Sequence, residues 1–187
     1  MNEKNKYLLF IFILILVIYY FLFPRGYINW YRSIPLYPNN KREVLLVEEF
    51  VNSRTKEDIE FFEISNNNMD LIFSSAVNED INIINYWVTE HNILVLLFKY
   101  FINRARPKQI MPSLNVLDAK GTADTPAFPA GHALSGYYIA KRLKEIYPEK
   151  KEILDKIARD CDITRIKAGL HYPSDGLFSK FIVDYFL

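Results

Sequence analysis

Residues 164–175 read Thr-Arg-Ile-Lys-Ala-Gly-Leu-His-Tyr-Pro-Ser-Asp (TRIKAGLHYPSD), and they join the end of one helical pattern to the start of another. Arg165 falls near the end of a helical stretch spanning Glu149–Ala168, and Gly169 is a natural stop for it. His171 then lies in a turn. Pro173 suits the first position of a last helix running to Leu187, and Asp175 sits in that helix's first turn, where the dipole favours a carboxylate. A histidine with an aspartate four residues on can form an oriented pair. The carboxylate fixes the ring's tautomer, and the other nitrogen becomes a nucleophile. The plainer reading, a loop histidine beside a capping aspartate, fits the same residues.

Working back from this stretch, Gly131–Ile146 reads as a helix, separated from Glu149–Ala168 by Tyr147-Pro148. Before it, Pro107–Pro129 holds four prolines and Gly121, and it reads as a long loop of the kind that often carries function. His91–Asn103 reads as a buried helix. Val44–Val51, Asp58–Ile64, Met69–Val77 and Ile81–Val88 repeat apolar residues at helical spacing. Asn66-Asn67-Asn68 is a short polar tract, read as a loop or helix cap. Alternating strand patterns are scarce, so the expected class is an all-α bundle.

Two further clusters lie in this framework. In KYFINRARP, Lys99 and Arg106 are seven residues apart, nearly two helical turns, so a continuous helix would put both on one face toward a common anion. Solvated surface cations would show the same spacing. Arg104 is offset from that face and reads as a surface charge. In Pro129-Ala130-Gly131-His132, a glycine permits close backbone approach at a helix start, and the free N–H groups there can bind an anion. His132 could give a proton to a leaving group, its reference pKa being near 6.5. A simple capped helix start is the alternative. His91 belongs to no motif and reads as structural.

Composition narrows the field. The 187 residues carry 23 Lys+Arg against 22 Asp+Glu, a formal charge of +1, which argues against nucleic-acid binding through bulk positive charge. The single cysteine, Cys161, rules out an internal disulfide framework or a cysteine-based zinc cluster. Apolar residues are concentrated in one unbroken run, Tyr7–Phe23 (YLLFIFILILVIYYFLF), ending at Pro24-Arg25. At helical rise it reaches ~25 Å, within the range for a membrane span. It lacks both a polar face and a small-residue cleavage site after it, which favours an uncleaved anchor over a core helix or a signal peptide. The expected organisation is an anchor over residues 1–24, a connector over 25–42 and one domain over 43–187.

Taken in order, Lys-x6-Arg-Pro, Pro-x-Gly-His and Arg-x5-His-x3-Asp resemble the type-2 phosphatidic acid phosphatase (PAP2)/vanadium haloperoxidase superfamily, over roughly Phe98 to Leu187. The final part looks most like the soluble class A acid phosphatases. Two positions depart from the family pattern: Ala130 stands where the family has serine before the glycine, and Thr164 where it has serine before the arginine. The resemblance implies a helical bundle of that type and a metal-independent phosphatase without cofactor. Lys99, Arg106, Arg165 and the Gly131 amide would bind the phosphoryl group. His171 would be the nucleophile, oriented by Asp175, and His132 the proton donor. It also implies a lipid or soluble phosphoester substrate, a membrane partner engaged through residues 7–23, and an extracytoplasmic or lumenal catalytic domain. A haloperoxidase and a non-catalytic anion-binding protein are the competing readings.

Overall fold

A computed structural model describes Tyr7, Phe10–Val17, Tyr27, residues 36–78, 80–121 and 123–187. From Asn40 onward, nine α-helices follow one another: α1 Asn40–Asn52, α2 Lys56–Asn67, α3 Met69–Val77, α4 Ile81–Thr89, α5 Asn92–Ile102, α6 Pro107–Ile110, α7 Gly131–Ile146, α8 Lys151–Lys167 and α9 Pro173–Phe186. A 3-10 turn, Pro148–Lys150, joins α7 to α8. The all-α expectation holds. Thr55 caps α2 by accepting from the Asp58 N–H, while the Asp58 carboxylate accepts from the Thr55 N–H.

Helices α7 and α8 form the central pair, with α9 and α4 laid on α7, and with α2 and α1 on α8. Phe73, Ile84, Leu134, Ile139, Leu143, Leu154, Cys161 and Ile182 build the main core between them. A second cluster, containing Val44, Val47, Leu114, Ile166 and Tyr172, closes the opposite end of α8. Each such fully buried aliphatic side chain contributes ~1.5–3 kcal/mol. Gly176 opens α9 to a close approach: a Cβ there would lie 1.9 Å from Asp162 Oδ1 of α8.

Three expectations need correction. The stretch His91–Asn103 is not buried all round. Val95, Lys99 and Tyr100 of α5 face inward, while Ile93, Leu97 and Phe101 face outward and are exposed. Leu177, Phe181 and Tyr185 of α9 are likewise exposed, and Phe98 meets Phe178 edge-on between the two helices. The long loop opens with a helical turn, α6. Asn66 and Asn67 belong to α2, and only Asn68 is a cap.

Of the apolar run Tyr7–Phe23, Tyr7 and Phe10–Val17 are helical and exposed, and the rest lies outside the described residues, as does most of the connector. Among the described residues, no helix is long and apolar enough to cross a membrane.

Candidate active site

The α8–α9 turn sets the centre of the site. Gly169 has φ +76°, left-handed backbone that a side chain would strain, and an added Cβ would meet Val116 at 2.9 Å. The chain therefore reverses tightly and presents His171 inward, almost fully buried. Asp175, the third residue of α9, accepts from the Tyr172 N–H at 3.0 Å and from His171 Nδ1 at 3.1 Å, both on Oδ2. On the other side of the ring, Arg106 Nη1 lies 2.8 Å from His171 Nε2. A guanidinium can only donate, so Nε2 carries the lone pair and Nδ1 carries the proton. This is the tautomer in which Nε2 is the nucleophile.

Lys99 and Arg106 do come together, but not by sharing a helix face. Helix α5 ends at Ile102, Asn103 turns left-handed at φ 51°, and Arg106 enters extended before α6. The pair meets instead on the carbonyls of one loop strand. Lys99 Nζ donates to Pro126 O at 2.7 Å, and Arg106 Nε donates to Thr125 O at 2.9 Å. Arg106 Nη2 is buried with no hydrogen-bond partner. Arg165 comes from the last turn of α8, and its Nη1 donates to Asn66 Oδ1 at 2.7 Å.

The cations press on one another and on the histidines. Burial, followed by the neighbouring Arg106, holds Lys99 well below the ordinary lysine pKa and brings Arg165 down to about 9. Burial brings Arg106 to about 10. His171 is held well below the usual histidine value by burial, then by Arg106, Lys99 and Arg165. Burial, then Arg165, brings His132 to about 3. His132 is the second residue of α7, and its Nε2 lies 3.4 Å from Asn66 O. No side chain caps α7, whose first turn begins at Gly131, next to His132. Ala130, the N-cap, is fully buried; its N–H donates to Asp175 O and its carbonyl accepts from Ser179 Oγ at 2.9 Å.

Arg104 is not a surface charge. Beyond the left-handed Asn103 the chain turns inward, so helical phase no longer applies, and Arg104 is fully buried. Its Nη1 donates to Asp175 Oδ1 and to Ser174 Oγ, its Nη2 to Glu43 Oε2 and its Nε to Asn40 Oδ1. The rings of Tyr172 and Tyr37 sandwich the guanidinium, with centroids 3.7 and 4.2 Å from Cζ. Glu43 in turn accepts from the Ser174 N–H at 2.7 Å. Arg104, Glu43 and Asn66 are thus parts of the site that motif spacing does not mark. His91 is buried as expected, with Nε2 2.9 Å from Ser135 Oγ.

This geometry joins three sequence clusters from α5–α6, α7 and α8–α9 around one imidazole. The chain resembles Aquifex aeolicus LpxE, at 23% identity and TM-score 0.61, over 81% of this chain and 94% of that one. It also resembles the first transmembrane PAP2-type phosphatidylglycerolphosphate phosphatase from Bacillus subtilis, at 19% identity and TM-score 0.52, over 78% and 84%. No protein-family model and no curated protein sequence matches the chain. The fold is the one seen in these two solved structures.

Proposed function

We propose that the chain is a phosphatase that hydrolyses phosphomonoesters through a phosphohistidine intermediate. One observation carries the reading: buried positive charge surrounds an imidazole whose nucleophilic nitrogen is already unprotonated. Among the described residues, no carboxylate lies within ion-pair distance of Lys99 or Arg106, although both are buried. Charge buried in this way needs an anion. A phosphoryl group would take hydrogen bonds from Arg106 Nη2, Arg165, Lys99 and the α7 amides.

Binding would draw Arg106 from His171 onto the phosphoryl oxygens and free the Nε2 lone pair. Nε2 then attacks phosphorus as the P–O bond to the alcohol breaks, and the electron pair leaves with that oxygen. His132 supplies its proton; the dianion beside it opposes the cations that depress its pKa. Water next attacks the phosphohistidine, His132 takes its proton, and the P–N bond breaks to return His171 and release inorganic phosphate. Asp175 holds the Nδ1 proton throughout. The three cations supply the charge stabilisation that a divalent ion gives other phosphoryl-transfer enzymes. The apolar run Tyr7–Phe23 would keep this chemistry at a membrane.

The reading is tested with p-nitrophenyl phosphate in EDTA, with vanadate as inhibitor. Turnover that vanadate suppresses, together with an acid-labile phosphoenzyme trapped on rapid quench, is the expected result. A protein that binds phosphate but turns over no phosphoester is an anion-binding protein, and the proposal fails.

A further inference from the structure

Resting on that phosphatase reading, we infer that Glu43 of α1 is a positioning residue for the attack of His171 on phosphorus. It acts from behind, through Arg104 and Asp175, with no contact to the phosphoryl group. The chain of contacts is continuous. Glu43 Oε2 accepts from Arg104 Nη2 at 2.6 Å, Arg104 Nη1 donates to Asp175 Oδ1 at 2.5 Å, and Asp175 Oδ2 accepts from His171 Nδ1 at 3.1 Å. All four side chains are buried.

Charge explains why Asp175 needs this support. A carboxylate matched by one guanidinium presents little net charge beyond the pair. Were Arg104 matched by Asp175 only, the negative charge behind His171 would be largely cancelled. Glu43 is a second carboxylate on the same guanidinium, so two carboxylates and one guanidinium carry a formal charge of −1 behind the imidazole. His171 needs that charge. As Nε2 bonds to phosphorus with the proton kept on Nδ1, the ring becomes cationic, and Arg106, Lys99 and Arg165 all oppose it.

Glu43 also fixes the frame. Its Oε1 accepts from the Ser174 N–H at 2.7 Å, and its Oε2 accepts from the Ser174 hydroxyl at 2.8 Å. That N–H lies in the first turn of α9, where a helix offers it no partner of its own. A carboxylate from α1 therefore caps the helix whose third residue is Asp175. The Ser174 hydroxyl in turn accepts from Arg104 Nη1 at 2.7 Å, which closes the network. An ion pair serving stability alone would match Arg104 from any direction. This one grips both the guanidinium that holds Asp175 and the turn that carries it.

The experiment measures kcat and KM of the full chain on p-nitrophenyl phosphate, with phosphoenzyme formation followed by rapid quench. Each variant is assayed below its own melting midpoint. Glu43→Gln keeps the shape and loses the charge, so kcat and phosphoenzyme formation should fall about tenfold or more, with KM within about twofold. Glu43→Asp restores the charge and should run at least about threefold faster than Glu43→Gln. Should Glu43→Gln not fold, Ser174→Ala carries the test, because it cuts the hydroxyl bridge between Glu43 and Arg104 and leaves every charge in place. Its kcat should fall about threefold at unchanged KM. Wild-type kcat in folded Glu43→Gln, or in Ser174→Ala where that variant stands in, overturns the inference. So does an equal loss in the glutamine and aspartate variants, or a loss carried by KM. A wild type that neither turns over the ester nor forms a phosphoenzyme sinks the phosphatase reading, and this inference with it; an active wild type whose variants keep its kcat sinks only the assignment of Glu43.

Discussion

Arg104 and Asp175 form an ion pair from which water is excluded on both sides: Nη1 lies 2.5 Å from Oδ1, and neither side chain has exposed surface. The other oxygen of the same carboxylate holds His171. Asp175 is therefore fixed as an anion from behind while it orients the imidazole in front. Glu43 and the two tyrosine faces complete the enclosure of Arg104, so its charge is matched although it is fully buried.

Arg104→Ala should therefore cost ~3–5 kcal/mol of stability, the usual consequence of leaving a buried charge without its partner. Arg104→Lys keeps the charge but loses the planar fork that reaches Glu43 and Asp175 together, and should lie between. Urea denaturation measures the first effect. The kcat of folded Arg104→Lys measures the second, since a tilted His171 attacks less well. A wild-type unfolding free energy in Arg104→Ala would show that the enclosure carries no energetic weight.

The two site histidines should separate by leaving group. His171→Ala removes the nucleophile, so turnover of every ester should fall by several orders of magnitude with no phosphoenzyme trapped. His132→Ala removes only the proton, which p-nitrophenolate does not need and an alkoxide does. It should retain comparatively more activity on p-nitrophenyl phosphate than on an alkyl phosphate, and it should accumulate phosphoenzyme. An intermediate still forming in His171→Ala would reverse the roles.

Acid should destabilise the fold through all three histidines. His91 is held at about 4 and His132 at about 3, both chiefly by burial, and His171 lies well below its ordinary value of 6.5. The unfolded chain takes up these protons near pH 6.5, whereas the folded chain does so only at lower pH. Stability is thus complete above about pH 6.5 and declines as pH falls toward 4, by about 1.4 kcal/mol per pH unit for each histidine. Denaturation series at pH 7, 6, 5 and 4 read the slope, and His91→Gln should reduce it by one proton's share. A flat profile would contradict the buried, neutral state of these rings.

Ala130→Ser should raise stability by ~0.5–2 kcal/mol, because a hydroxyl at the N-cap can accept from an α7 amide that no side chain now meets. Activity should be unchanged or modestly higher. Since Ala130 is fully buried, a collapse in activity would mean that the pocket has no room for one oxygen.

Gly176→Ala should be far more damaging than a helix-interior Gly→Ala change normally is. The new methyl would fall on the Asp162 carboxylate, which already accepts from the Tyr137 hydroxyl at 2.9 Å. Relief requires α9 to move, and Asp175 moves with it. Thermal melting and kcat should both drop, with overpacking alone costing ~1–3 kcal/mol. Near-wild-type kcat in this variant would show that α9 can shift without disturbing His171.

Helical spacing in the sequence was enough to delimit α3, α7, α8 and α9 closely, because Asn78, Pro148 and Gly169 mark the ends of the first three and Pro173 opens the last. The motif residues were legible because their side-chain chemistry is rare: three histidines, two of them beside a glycine and an aspartate. Arg104 was not, because its environment depends on the left-handed turn at Asn103, which rotates everything after it away from the helical phase. Asn66 was invisible for another reason. It serves by lying opposite Arg165, 99 residues on, and local pattern does not report such a pairing.

The ties that hold the centre also set an order of events during synthesis. Glu43 waits for Ser174, Arg104 for Asp175 and Arg106 for His171, spans of 131, 71 and 65 residues. While the ribosome is still making α8, Arg104 has Glu43 but not Asp175, and Arg106 has no imidazole to meet, so the pocket lacks its centre. Competence arrives in one step, when the last helix swings into place.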